Sequence, residues 1–133
     1  MTIQDVVDYI NSHSDPVLTP EMDALLLETC ARTHRLTMKL NTAYYGPEEL
    51  RAILSEITGE EIDPSFRMFP PFYSDFGRNI HFGKDVFVNA GCHFQDQGGI
   101  FVGDHTLIGH NTVLATIDHD REMASHFEQE EHP

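Results

Sequence analysis

The chain has 133 residues, enough for one domain with a modest core, and 40% of them are hydrophobic, an ordinary share for a water-soluble fold. Eight Lys and Arg stand against 22 Asp and Glu, a net charge of −14 with histidines neutral, and so acidic a chain repels phosphate backbones and excludes nucleic acid as an expected partner. No apolar run reaches the roughly 20 residues that cross a bilayer, and the N-terminus lacks the basic stretch and apolar core of a signal peptide, so the expected setting is the cytoplasm, away from membranes. Cys30 and Cys92 are 62 positions apart, without metal or redox spacing, and read as reduced, buried thiols.

In chain order, Ile3, Val6, Val7 and Ile10 fall at helical spacing, and Asp5 lies in the first turn, where the helix dipole favours negative charge, so the pattern predicts a short helix over 3–12. A longer helix starts after Thr19, a good N-cap, with Pro20 at its first position and Glu21 and Asp23 near its start. Leu25, Leu26, Cys30, Leu36, Met38 and Leu40 make its apolar stripe, and Asn41 suits its end. A third helix is predicted from about Pro47 to Thr58, with Leu50, Ile53, Leu54 and Ile57 on one face and Gly59 as its stop. These helices form an expected N-terminal cap over 1–60. Residues 61–77, rich in aromatics and carrying Pro70 and Pro71, read as an extended connector, because proline removes backbone donors and holds its predecessor extended.

From Ile80 to Ile117 the chain repeats every six residues. Phe82, Val88, Phe94, Val102, Ile108 and Leu114 are apolar, each followed by a small or polar residue: Gly83, Asn89, Gln95, Gly103, Gly109, Ala115. One step is eight residues long, and the extra pair belongs to Gln97-Gly98-Gly99, read as a corner pushed outward into a loop. A single hexad would suit many hairpins, but six in register predict a parallel β-helix, in which strands too short to bury a face alone stack into a core. Three strands close one triangular coil, so 78–117 predicts about two coils. Residues 118–133 are then a loop followed by a charged, acidic, weakly periodic tail.

Pro71-Phe72-Tyr73-Ser74-Asp75-Phe76-Gly77-Arg78-Asn79-Ile80-His81-Phe82-Gly83, then Val86 to Asn89, Asp96, Ile100 to Gly103, and Thr116-Ile117-Asp118-His119 resemble the maltose and galactoside O-acetyltransferases. The resemblance covers roughly residues 20–119. It implies a mainly β fold, a left-handed parallel β-helix with a helical cap. It also implies homotrimers with sites in clefts between subunits, acetyl-CoA as donor and co-substrate, and a sugar hydroxyl as acceptor. Members of that family continue past the histidine loop with further hexads that supply much of the donor groove, and in that respect the 133 residues look truncated at the C-terminus.

Attack of an alcohol on a thioester needs a base whose pKa is near the working pH, which is histidine's range. One histidine among nine carries no signal alone. By the resemblance, His119 is the catalytic base and acetyl passes directly to the sugar without an acyl-enzyme. The resemblance also makes Asp75, Asn89 and Asp96 acceptor contacts and Phe87 an aromatic packed on the sugar ring. Their bland readings are turn residues for Asp75 and Asp96, a corner residue for Asn89 and a cap contact for Phe87. No cofactor-binding residue is assigned and no resident metal is expected. Two alternatives stay open: a non-catalytic trimeric scaffold remnant of the family, and a zinc-dependent β-helical hydratase using His105 and His110 with His81 or His93 as a third ligand.

Overall fold

The computed structural model describes residues 1–117. Three helices come first: α1 (Ile3–Ser12), α2 (Pro20–Asn41) and α3 (Pro47–Thr58). Each begins and ends for a local reason. Thr2 and Asp5 cap α1 reciprocally, the Thr2 hydroxyl accepting from Asp5 N and the Asp5 carboxylate accepting from Thr2 N. Those two bonds hold the Asp5 carboxyl below its ordinary value. Thr19 accepts from Met22 N at the start of α2. Gly59, at φ 72°, closes α3 in the left-handed conformation and returns its N–H to Ser55 O.

Eight strands follow: β1 (Arg67–Met68), β2 (Phe72–Ser74), β3 (Ile80–Phe82), β4 (Phe87–Val88), β5 (Cys92–Gln95), β6 (Ile100–Val102), β7 (Leu107–Ile108) and β8 (Val113–Ala115). They form three parallel sheets, β1-β4-β7, β2-β5-β8 and β3-β6, the three faces of a β-helix. Every pairing joins residues twenty positions apart: Arg67 with Phe87, Phe72 with Cys92, Ile80 with Ile100, Phe87 with Leu107. A coil is thus three hexads plus two residues, and the extra pair sits at the corner after the second face.

The segment expected as an extended connector over 61–77 carries β1 and β2, the first two sides of the first coil. Its hexads are masked because prolines occupy the first corner and Ser74 takes an inward position. The described strands make two full coils and two sides of a third.

The core is one continuous stack. Phe66, Met68, Phe72, Ile80, Val86, Val88, Cys92, Phe94, Ile100, Val102 and Ile108 are buried, and Phe82 and Leu114 pack against them. Edge-to-face contact of Phe72 with Phe94, at 5.1 Å between centroids, joins the first two coils. α3 adds Leu50, Ile53, Leu54 and Ile57 to the same cluster. A second cluster joins Val6, Val7 and Ile10 of α1 and Leu26 of α2 to Phe76 of a coil corner.

On α2 the buried positions are Leu26, Thr33, Thr37 and Leu40, whereas Met38 is exposed, off the stripe expected for it. The threonines tolerate burial because their hydroxyls are satisfied: Thr33 donates to Phe76 O at 2.6 Å and Thr37 to His34 O. Both cysteines are free thiols, and burial, with Asp96 and Asp75 adding, pushes Cys30 up to about 11. No described helix is long and apolar enough to cross a membrane.

Candidate active site

The two-residue excess in each coil makes a bulged corner, at 75–79 in the first coil and 95–99 in the second. Asp96 fastens one to the other. Its side chain is fully buried; Oδ1 accepts from the Ser74 hydroxyl, Phe76 N and Gly77 N at 3.0–3.1 Å, and Oδ2 from Asn79 N at 3.1 Å. Burial pushes its carboxyl above the usual range, while the bonds from Gly77, Asn79, Phe76 and Ser74 pull it down. Asp96 therefore does not face an acceptor; both of its oxygens hold the loop that carries Asp75. Gly77 lets that loop turn, at φ 80°, where a Cβ would stand 2.7 Å from Ile57 Cγ2 and 2.9 Å from Thr33 Oγ1.

Asp75 points outward from this loop, and its Oδ1 lies 3.2 Å from His93 Nε2. Nothing in the hexads marks His93 as a partner. The twenty-residue register does, since it sets His93 beside Tyr73, two positions before Asp75.

Next to the second corner is a polar pocket of about 440 Å³, formed by the end of α1 and the segment after it (Ile10, His13 to Pro16, Leu18), by Gln97 and Gly98, and by Thr116 and Ile117. Gly98 N donates to Thr116 Oγ1 at 2.8 Å and Ile117 N to Gln95 Oε1 at 3.0 Å, so the last described residues are tied to the pocket wall. Asn79 braces the other side: it exchanges two hydrogen bonds with Asn11 and donates to Gln97 O, while its Oδ1 also meets His81 Nε2 at 2.8 Å. His81 in turn contacts Glu60 through Nδ1 at 2.8 Å. His13, Asp15 and Gln97 were not singled out by sequence; only Gln97 carried a signal, as the first residue of the outward corner. His119, the expected base, and Asp118 lie outside the described residues.

Phe87 and Asn89 belong to a different side of the coil. Phe87 meets Phe69 edge-on at 5.1 Å and lies under the Arg67 guanidinium, which is 5.4 Å from the ring centroid. Asn89 Oδ1 accepts from Ala90 N at 2.8 Å, a corner role. Between Asn89 and the second bulged corner runs β5, four residues or about 13 Å of extended chain. Phe87 thus lies on the β1-β4-β7 face, whereas Asp75 follows β2 of the β2-β5-β8 face. Among the described residues no three His, Cys, Asp or Glu side chains converge as a metal site, and His105 is committed to Asp85, its Nδ1 2.9 Å from Oδ2.

No family model matches the chain. Galactoside O-acetyltransferase of Lactococcus lactis is 30% identical over 112 residues, covering 84% of this chain and 54% of that protein. Nodulation protein L of Rhizobium meliloti is 33% identical over 100 residues (75% and 52%), and galactoside O-acetyltransferase of Escherichia coli K12 is 34% identical over 94 (71% and 46%). The chain spans about half the length of these relatives. Among solved structures, a hexapeptide-repeat-containing acetyltransferase of Vibrio cholerae superposes with a TM-score of 0.68 at 25% identity, covering 89% of this chain and 60% of that one. A galactoside acetyltransferase in complex with coenzyme A gives 0.66 over 95% of this chain and 61% of its own; at 20% identity that likeness speaks for the fold alone. The β-helix is of the left-handed, hexapeptide-repeat type. By sequence the chain is related to the galactoside O-acetyltransferases, and by fold to the hexapeptide-repeat acetyltransferases.

Proposed function

We propose that the chain carries the acceptor side of a sugar O-acetyltransferase site, with acetyl-CoA as donor and His119 as general base. The observation that carries this reading is the polar pocket at the second corner. It offers a carboxylate, an amide, hydroxyls and an imidazole, the groups that exchange directional hydrogen bonds with sugar hydroxyls. Its wall includes Ile117, the last described residue, which precedes His119 by two positions in the sequence.

In the reaction, the acceptor hydroxyl gives its proton to the His119 imidazole as its oxygen attacks the acetyl carbonyl carbon. The tetrahedral intermediate then expels CoA as thiolate, and the imidazolium returns the proton to sulfur. The acetyl group thus passes directly from the thioester sulfur to the acceptor oxygen, and no protein side chain is acylated.

The separation of Phe87 and Asn89 from Asp75 and the pocket supports a homotrimer in which each cleft takes one group from each of two neighbours. Asp75 reaches the acceptor in this reading, while Asp96 acts through the loop it holds. The setting we infer is the cytoplasm. The test is release of CoA thiol from acetyl-CoA over a panel of mono- and disaccharides, beside His119→Ala. Sugar-dependent release that the substitution removes supports the assignment. A folded chain that releases none contradicts it and favours a scaffold remnant without turnover.

A further inference from the structure

A groove of about 640 Å³, within the size range of small-molecule sites, lies on the side of the coil away from the polar pocket. The loop between α2 and α3 forms one wall with Tyr44 and Tyr45; β1 and the residues after it form the floor with Arg67, Met68 and Phe69; Phe87 closes one end. Tyr44 is 92% exposed and Phe69 58%, a costly way to display aromatic rings unless something lies on them.

Its polar inventory decides the chemistry. Asn41 spends both amide atoms on the Phe72 backbone, Nδ2 donating to Phe72 O at 2.8 Å and Oδ1 accepting from Phe72 N at 2.9 Å. The Thr42 hydroxyl donates to Met38 O. The wall thus has few groups for a sugar. Arg67 is the one ionised residue of the lining. The three ion pairs among the described residues all join a histidine to a carboxylate, and Arg67 is in none of them. Its guanidinium sits over the Phe87 ring, where desolvation is partial and its donors stay open to a ligand. In a chain of net charge −14, a local cation bordered by aromatic faces is where a small anion meets attraction instead of repulsion.

We propose that this groove binds a small molecule with a flat apolar body and one anionic head, of the aryl carboxylate class. The body lies against Tyr44, Phe69 and Phe87, and the head accepts a forked pair of hydrogen bonds from Arg67. The Tyr44 and Tyr45 hydroxyls, which have no intramolecular partner among the described hydrogen bonds, can donate to the same head. The proposal does not depend on acetyl transfer; Phe87 is the residue the two readings share.

The test uses 2-naphthoate and its neutral counterpart 2-naphthamide, titrated separately into the full chain without acetyl-CoA and followed by equilibrium dialysis. The expected result is saturable binding of one naphthoate per chain with a Kd of about 1 mM or tighter, and weaker binding of the amide. Arg67→Gln should weaken naphthoate about tenfold, leave the amide unchanged and narrow the gap between them; Arg67→Lys should restore part of it. Tyr44→Ala, at an exposed position, should weaken both. Equal binding of acid and amide, naphthoate binding unaffected by Arg67→Gln, or no saturation up to about 10 mM would each overturn the proposal.

Discussion

Asp96 Oδ1 accepts the Gly77 N–H at 3.0 Å, which fixes the corner of the first coil from the corner of the second. Asp96→Asn keeps an oxygen for one side of this arrangement but sets an amide N–H against either Asn79 N or the donors at Oδ1. A buried donor facing a donor costs about 1–3 kcal/mol. Urea unfolding should show that loss as a lower midpoint at unchanged m-value, and a midpoint equal to wild type would show that the corner does not need the carboxylate.

Phe94 is fully buried, with Phe72 edge-on at 5.1 Å and Phe82 at 6.2 Å. Phe94→Ala removes the ring that ties the coils together, and the stack on either side relaxes little, so the expected cost is about 3–5 kcal/mol. Phe101, 67% exposed on the adjacent strand, is the matched control: Phe101→Ala should cost much less, and equal losses in thermal unfolding would contradict the inward and outward assignment.

Asp85 and His105 occupy successive corners, both at positive φ, with Oδ2 and Nδ1 2.9 Å apart. The hydrogen bond to Asp85, followed by its charge, raises the His105 pKa above the ordinary 6.5. The folded value is the higher one, so the contribution is fully present below about 6.5 and is lost as pH rises through the raised value. His105→Asn, which tolerates the same backbone, should melt below wild type at about pH 5.5 and approach it in alkaline buffer. A gap independent of pH would contradict the linkage.

How much of this was legible in the sequence differs by level. Inward residues such as Val88, Phe94 and Val102 follow from the six-residue period, because the inward-facing position recurs at the same place in each hexad. The first coil was hidden because Pro70, Pro71 and Ser74 interrupt that pattern while the backbone still pairs at Arg67 and Phe72. Asp96 was readable as a polar corner residue but not as a buried one, since its four donors come from a loop twenty residues earlier. Asp15 and His13 lie outside any repeat and enter the pocket only through the docking of α1 by Val6, Val7 and Ile10 onto Phe76.

The polar pocket makes its own prediction. In the proposed function Asp15 and Gln97 would bind an acceptor without taking its proton, so with Asp15→Asn and Gln97→Ala the KM for the sugar should rise about tenfold with kcat nearly constant. Steady-state kinetics over sugar concentration separate the two parameters. A fall in kcat at unchanged KM would place these residues in the transfer step instead.

The central claim is that His119 removes the acceptor proton, and the most direct measurement is sugar-dependent CoA release by wild type and His119→Ala, with melting temperatures recorded on the same samples. Loss of a general base predicts a fall of about 10²- to 10⁴-fold in kcat/KM at an unchanged melting temperature. Transfer that survives the substitution at the wild-type rate would contradict the account.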